Sequence, residues 1–176
     1  MAATPWPDLI FLDETATPTT LTPTMGRAPR GQRVVGREPR GRREHISWLA
    51  TLTCDGIGPS MVVPGAVDRE VFDTFVLTDL APALRPGQIV VLDTLSVHKS
   101  AVARAAIEAV GCRLVFLPTY SPDFNPIEQA FAKAKQRLRR LEARSFETVV
   151  EAVGDALAAI TPRDCAGFFR AAGYEA

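Results

Sequence analysis

Three acidic side chains stand where predicted secondary-structure elements end or begin. Asp13 and Asp93 each close a short apolar run that is typical of a buried strand, and Glu128 opens a long helical pattern. In an open sheet with parallel strands, ligands bind at the carboxyl ends of the strands. A third apolar strand leads through a turn to Glu128. We therefore expect the carboxylates of Asp13, Asp93 and Glu128 to meet at one edge of a sheet.

Grouped carboxylates favour a particular chemistry. Two or three of them in one pocket repel each other and raise each other's pKa, so they are stable as anions only with a cation between them. Hard oxygen ligands suit Mg²⁺ or Mn²⁺, which also bind phosphate oxygens. A pair of such ions activates a water or a 3′-hydroxyl and stabilises the leaving oxygen of a phosphodiester. The acids therefore suggest a phosphodiesterase site that holds Mg²⁺ or Mn²⁺, with two ions expected.

The elements that must position these acids follow from hydrophobic periodicity and turn signals. An Asp-Gly turn between two apolar runs indicates a hairpin, and the later strands alternate with helical segments. This order implies an α/β fold with a mixed sheet and helices on both faces. The predicted strands cover 8–13, 45–53, 59–65, 88–93 and 113–118, and the predicted helices cover 68–84, 99–110, 126–143, 146–160 and 162–172.

The basic residues are concentrated in two segments, although the net charge of the chain is zero. Seven arginines and one acid lie between positions 27 and 43, within a loop predicted at 15–44, and six basic residues and one acid lie between 133 and 144. Such segments suit a polyanion bound on one face, and solvated surface predicts the same composition. The predicted phosphate contacts are Arg27, Arg30 and Arg33 in the loop, with Lys133 and Arg137 on the helix.

Other classes of protein find no support in the composition. No apolar run reaches the roughly 18 residues that a membrane-spanning helix needs, and the N-terminus lacks the pattern of a signal peptide. Cys54, Cys112 and Cys165 form no CxxC pair, so the spacing favours neither a zinc site nor a disulfide framework. We expect a cytoplasmic protein.

Three motifs carry a family resemblance. FLDE at 11–14, VLDTLSVHK at 91–99 and LPTYSPDFNPIEQAF at 117–131 together resemble the catalytic-domain signature of bacterial insertion-sequence transposases in the mariner superfamily. These are DDE endonucleases with a ribonuclease H-like fold. The 34 residues between Asp93 and Glu128 match a spacing typical of that superfamily. The basic stretch MGRAPRGQR at 25–33 resembles a segment that follows the first acid, and the resemblance covers roughly residues 8–145.

The resemblance implies a fold, an activity and roles for single residues. It implies a ribonuclease H-like five-stranded sheet, with Asp13, Asp93 and Glu128 as the catalytic metal ligands. The reaction would be DNA hydrolysis at transposon ends, followed by strand transfer through the freed 3′-hydroxyl. The family also has a histidine where His98 stands, so His98 is a predicted contact for a DNA phosphate or an attacking water, with a structural role at a helix start as the alternative. Thr94 stands where the family usually has asparagine.

Local roles compete with catalytic ones around the third motif. Asp123 is the other acid that could complete the triad, but it follows a proline in a turn, where aspartate commonly bonds to its own backbone. Asn125 is predicted to cap the helix, with Glu128 at its third position completing a capping box. Tyr120 could stack on a base or pack within the turn. Glu14 could be a fourth acid, although the favoured interpretations are that it points to the other face of the strand or caps the loop.

The resemblance also bears on domain organisation and partners. We expect a catalytic domain over 1–145, with C-terminal helices over 146–176 packed on it, and a bacterial, nucleoid-associated protein that forms a homo-oligomer on DNA. Related transposases carry an N-terminal helix-turn-helix, and only about seven residues precede the first predicted strand. A separate chain would then supply that module, or the sequence is a fragment or relic. The alternative functions are another ribonuclease H-like nuclease, such as a resolvase or hybrid nuclease, and an inactive relic that binds DNA or a partner.

Overall fold

The structure of the protein is a computed structural model. It describes residues 6–35, 44–95, 97–119, 121–141, 143 and 145–174. Four arginines of the predicted loop and the tyrosine of the third motif lie outside these residues: Arg37, Arg40, Arg42, Arg43 and Tyr120.

A mixed sheet of five strands forms the centre of the fold, with strand order β3-β2-β1-β4-β5. The longest strand, β1, pairs antiparallel with β2 and parallel with β4, and β4 pairs parallel with β5. This arrangement confirms the predicted five-stranded mixed sheet. The strands are β1 (Leu9–Pro18), β2 (His45–Thr53), β3 (Gly56–Pro64), β4 (Ile89–Leu92) and β5 (Arg113–Phe116).

Six α-helices flank the sheet in the described part of the chain. Side-chain caps fix several of their starts: Asp68 accepts from the Val71 backbone N–H at 2.9 Å, and Ser145 and Thr161 each begin a capping box. A π-helical segment, Val76–Leu80, joins the first two helices. The helices are α1 (Arg69–Phe75), α2 (Ala81–Ala83), α3 (Ala101–Ala109), α4 (Ile127–Leu141), α5 (Phe146–Ala158) and α6 (Pro162–Ala171).

Each face of the sheet has its own hydrophobic core, because successive strand residues point to opposite sides. On one face Phe11 and Trp48 pack with residues of α4, α5 and α6, among them Phe131 and Phe169. On the other face Leu12, Leu49 and Val90 pack with residues of α1 and α3. Helices on both sides therefore hold the central strands, and with them the acids that these strands carry. No helix among the described residues is long and apolar enough to cross a membrane.

The first strand differs from its prediction. It continues to Pro18 because β2 remains paired with it up to that residue, whereas its pairing with β4 stops at Phe11. Asp13 consequently lies inside β1, two residues beyond the parallel pairing, and not at the end of the strand. The loop begins at Thr19 and not at position 15, and its two ends are joined by a 3.0 Å hydrogen bond from Thr19 N–H to the Glu44 carbonyl.

Candidate active site

Strand register brings the first two acids to the same level of the sheet. Phe11 of β1 is opposite Val91 of β4. Asp13 and Asp93 each follow this pair by two residues, so they lie at the same level of the sheet. Asp13 shares the face of Phe11, which α4 covers, and its side chain is 4% exposed. Asp93 follows the last residue of β4, and its side chain is 35% exposed. The sequence-based expectation of adjacent carboxylates thus holds, although only Asp93 ends its strand.

The third acid enters from the start of α4. A single 3₁₀ turn, Pro122–Phe124, leads into Asn125, and Glu128 is the second residue of the helix and exposed. A cavity of about 350 Å³ is lined by Asp13, Asp93 and Glu128 together with neighbours that include Thr94, Leu95 and Asn125. The structure therefore brings the three predicted acids to one cavity. Asp123 is exposed and does not line this cavity, in agreement with its predicted turn position.

Asn125 has a different role from the predicted helix cap. Its side-chain amide Nδ2 donates a 2.8 Å hydrogen bond to Asp13 Oδ2, and the residue is 5% exposed. The Asn125 backbone carbonyl, and not its side chain, accepts from the Glu128 N–H at 3.2 Å. The predicted capping box at Asn125 and Glu128 is therefore wrong, because the amide is directed into the site. Among the described residues, the buried Asn125 Oδ1 has no hydrogen-bond partner.

The electrostatics of Asp13 fit a cation site. Burial is the main cause that raises the pKa of Asp13 from 3.8 to about 7, and the negative charges of Asp93, Glu14 and Glu128 raise it further. The hydrogen bond from the Glu14 N–H opposes this shift. A cation in the cavity would take the place of that proton, and the carboxylate donors are the oxygen ligands that Mg²⁺ and Mn²⁺ prefer. The residues present therefore fit the predicted metals.

A histidine bridge lies directly behind these acids. His98 Nδ1 is 2.5 Å from Asp93 Oδ1, and Nε2 is 2.5 Å from Glu14 Oε2. Burial lowers the pKa of His98, but the two carboxylates outweigh it and raise the pKa to about 10. Burial likewise raises the pKa of Asp93, but hydrogen bonds from His98 and the Leu95 N–H outweigh it and leave the pKa lowered. Glu14 faces the side of the sheet opposite Asp13, as strand alternation predicts.

This bridge argues against the predicted DNA contact of His98. The histidine side chain is 0% exposed, and both ring nitrogens already bind carboxylates. A DNA phosphate would have to displace one of them from a buried site. The presence of His98 five residues after Asp93 in the second motif signalled a site residue, but the partner Glu14 could not be inferred from that spacing.

The predicted phosphate contacts are distributed unevenly. Arg27 and Lys133 line one groove of about 830 Å³, together with Arg139 and Arg140 of α4. Lys133 also forms a 2.5 Å ion pair with Asp164 of α6. The groove unites the loop after β1 with the helix that carries Glu128, which explains how the two basic segments come to share a surface.

The remaining basic candidates lie outside that groove. Arg30 and Arg33 are exposed in the same loop, but neither lines the groove. Arg137 is exposed on the side of α4 opposite Glu128, because each helical residue turns the chain by about 100°. Lys135 is nearer the site than these: it is half-buried, donates to the Thr15 hydroxyl, and interacts electrostatically with Glu128.

Several solved structures are similar to this chain in fold. The structure is similar to the Mos1 transposase paired-end complex with left transposon end, with a TM-score of 0.75 and 16% identity over 94% of this chain and 51% of that one. It is also similar to the Mos1 mariner paired-end complex with Mn, with a TM-score of 0.71 and 17% identity over 95% and 52% of the two chains. The chain thus spans about half the length of these relatives.

The fold and the family follow from these matches. The Mos1 transposase catalytic domain in its structure with raltegravir and Mn gives a TM-score of 0.68 and 15% identity over 95% of this chain and 80% of that one, and the shared fold is the predicted ribonuclease H-like one. A search of curated protein sequences found no match. The family model of the DDE superfamily endonucleases matches residues 8–150. The chain therefore belongs to the DDE superfamily of endonucleases.

Proposed function

We propose that this chain is the catalytic domain of a transposase that cuts DNA at transposon ends and joins the freed 3′-hydroxyl to target DNA. One observation carries the proposal: Asp13, Asp93 and Glu128 line one cavity in a chain of the DDE superfamily. The similar structures are of transposases, and three of them are named as paired-end complexes. An origin in a bacterial insertion sequence remains a prediction from the motifs.

Asp13, Asp93 and Glu128 are the proposed metal ligands. Mg²⁺ or Mn²⁺ at this site would supply Lewis-acid activation of an attacking oxygen and charge stabilisation for the leaving oxygen, and two ions are proposed. Mos1 structures similar to this chain are named as complexes with Mn and with Mg, which supports the same choice here. The raised pKa of Asp13 supports it as well, because a carboxyl that holds a proton near neutral pH exchanges it readily for a cation.

The protein's own groups orient the ligands. The Asn125 amide holds Asp13 from one side, and the Glu14 N–H donates to Asp13 Oδ1 at 2.8 Å from the other. The Leu95 N–H donates to Asp93 Oδ1 at 3.0 Å. Glu128 lies in the first turn of α4, where the helix dipole favours a negative charge. These contacts preorganise the carboxylates, so that little reorganisation is needed when DNA binds.

The groove lined by Arg27, Lys133, Arg139 and Arg140 is the proposed path for the DNA backbone. Guanidinium groups bind phosphate through two parallel hydrogen bonds, and a row of them suits a phosphodiester chain. Arg30, Arg33 and Arg137 remain proposed contacts outside the groove. A separate helix-turn-helix chain and a homo-oligomer on DNA are the proposed partners for recognising the transposon ends.

Substitution of the three acids tests the assignment. Asp13→Asn, Asp93→Asn and Glu128→Gln remove one charge each at nearly constant shape, and each is expected to abolish Mn²⁺-dependent cleavage of DNA. Asp123→Asn is the matched control, because Asp123 lies five residues before Glu128 and does not line the cavity. Cleavage is measured on DNA that carries the element's ends, with the helix-turn-helix chain present, and circular dichroism checks that each variant is folded.

The same assay separates this proposal from its competitors. A resolvase or a hybrid nuclease would prefer a four-way junction or an RNA–DNA hybrid to transposon-end DNA. An inactive relic would bind DNA in a salt-sensitive way without cutting it. Full cleavage by any of the three acid variants would remove that residue from the triad, and loss of cleavage in Asp123→Asn would reopen the choice of the third acid.

A further inference from the structure

We propose that His98 is a positioning residue that fixes Asp93 in its metal-binding orientation by joining it to Glu14 on the opposite face of β1. The inference rests on the proposed function, since it assigns a role to residues behind the same metal site.

Asp93 needs such a support because of where it lies. It follows Leu92, the last residue of β4, so the strand pairing ends before it. Its Oδ1 accepts two hydrogen bonds, one from the Leu95 N–H at 3.0 Å and one from His98 Nδ1 at 2.5 Å. Both bonds involve the same oxygen. Asp93 Oδ2 therefore has no partner among the described residues and is available to the cavity.

His98 is itself held on several sides. Its ring packs against Phe72 of α1 in a tilted arrangement, with ring centroids 4.9 Å apart and planes 37° apart, and the side chain is 0% exposed. Its backbone N–H donates to the Leu95 carbonyl at 3.1 Å. A ring fixed in this way can transmit its orientation to Asp93, because it has no free rotamer to adopt.

Glu14 completes the bridge from the other side of the ring. Carboxylate oxygens only accept hydrogen bonds, so the 2.5 Å contact with Glu14 Oε2 holds the second ring nitrogen as a donor. Glu14 directly follows Asp13 in β1. The bridge therefore connects the strand that carries Asp13 with the residue that follows β4, and it sets the spacing of the two acids independently of the backbone pairing, which stops at Phe11 and Val91.

The same atoms suggest one alternative, direct metal binding. Ligand atoms of Asp13, Glu14 and His98 lie within 4.8 Å of one another, a spacing that a metal ion could also use. The short contact between His98 and Glu14 favours a hydrogen-bonded bridge, because a metal between these atoms would hold them further apart. The hydrogen-bonded bridge and direct metal binding predict different effects of Glu14→Gln on metal affinity.

Amide variants of His98 separate its two hydrogen bonds. The asparagine amide nitrogen falls near the position of Nδ1 and retains the bond to Asp93, whereas the longer glutamine places its amide near Nε2 and loses that bond. Mn²⁺ affinity of the purified chain is measured by titration calorimetry, without DNA. His98→Gln is expected to weaken Mn²⁺ binding by about tenfold or more, as for other residues that orient metal ligands. His98→Asn is expected to lose less affinity, because it keeps the bond to Asp93 and loses only the one to Glu14.

Wild-type affinity in His98→Gln, or equal losses in His98→Gln and His98→Asn, would overturn the positioning role, because a purely structural histidine gives no such difference. If His98→Gln does not fold, Glu14→Ala and Glu14→Gln carry the test. Glu14→Gln keeps an acceptor for the ring and should bind Mn²⁺ nearly as wild type does, whereas Glu14→Ala should bind it more weakly; equal affinities would overturn the inference.

Two further outcomes concern the metal site itself. A loss in Glu14→Gln as large as that of Asp13→Asn would make Glu14 a metal ligand and replace the bridge by the alternative site. Failure of the wild-type chain to bind Mn²⁺ at all would overturn the proposed metal site together with this inference. If the wild type binds Mn²⁺ and folded His98→Gln binds it with the same affinity, the inference alone would be overturned.

Discussion

The side-chain amide of Asn125 donates a 2.8 Å hydrogen bond to Asp13 across 112 residues of sequence. This bond ties the start of α4 to the middle of β1, so the helix that carries Glu128 is held against the strand that carries the first acid. It is buried, and a buried hydrogen bond to an ionisable carboxyl is costly to remove.

Asn125→Ala should therefore weaken metal binding. Without the amide donor, Asp13 loses a fixed orientation, and we expect Mn²⁺ affinity to fall by about tenfold, in line with the effect of other groups that orient metal ligands. Titration calorimetry measures the change. Asp123→Ala is the matched control in the adjoining turn, and it should bind Mn²⁺ as the wild type does. Equal affinities of the two variants would show that the Asn125 bond does not orient Asp13.

Stability without metal should fall as the pH rises through the range where Asp13 titrates. The folded-state pKa of Asp13 is about 7, against 3.8 as its ordinary value. Its contribution to stability is therefore full below 3.8 and is lost as the pH rises towards 7. Between about pH 4.5 and 6.5 this loss is on the order of 2 kcal/mol. Urea unfolding at several pH values measures it, and Mn²⁺ should oppose the loss because it binds the ionised carboxylate.

Asp13→Asn is the control for that pH dependence, and it should be nearly flat over the same window. The other perturbed groups of the site titrate elsewhere. Asp93 has a lowered pKa, so its contribution to stability is lost as the pH falls below 3.8. His98 has a raised pKa, so its contribution to stability is lost as the pH rises from 6.5 towards 10. A slope in Asp13→Asn as steep as in the wild type would assign the pH dependence to another group.

The strands, the helices and the acids could be inferred from sequence because their signals are local. Apolar runs mark β4 and β5, the Asp-Gly turn marks the hairpin, and helical periodicity marks α4 close to its observed bounds. The convergence of the acids at one edge could be inferred as well, because the carboxyl ends of parallel strands of matching length meet at the same edge of a sheet.

The side-chain partners could not be inferred, because they depend on contacts between distant residues. Asn125 has the sequence context of a helix cap, and only the approach of β1 gives its amide a different partner. The extension of β1 beyond Asp13 depends in the same way on pairing with β2. Glu14 and His98 are 84 residues apart, and no periodicity connects them. In each case a tertiary contact decides between local alternatives that the sequence leaves open.

Charge reversal in the basic groove should weaken DNA binding. Arg27→Glu and Arg139→Glu replace guanidinium groups that line the groove from the loop and from α4. If each contacts one phosphate, the slope of log affinity against log salt concentration should fall by about one per substitution. Fluorescence anisotropy with labelled duplex DNA at several salt concentrations measures both the affinity and the slope.

Arg113→Glu is the matched control for the groove. Arg113 is exposed at the start of β5, at the end of the sheet opposite the acids, so the same change of net charge falls on a remote surface. Its variant should show a small loss of affinity with an unchanged slope. Equal effects of Arg113→Glu and Arg27→Glu would mean that DNA responds to net charge and not to the groove.

Packing beneath α4 should dominate the stability of the site's framework. Phe131 is 1% exposed and meets Trp48 of β2 edge to face, with ring centroids 5.1 Å apart. Phe131→Ala would leave a cavity between α4 and the sheet, and we expect it to lower the free energy of unfolding by about 3–5 kcal/mol. Phe124→Ala removes the same group from a side chain that is 50% exposed, so it should cost far less. Urea unfolding of both variants measures the difference, and similar losses would mean that the contact of Phe131 with Trp48 does not hold α4 on the sheet.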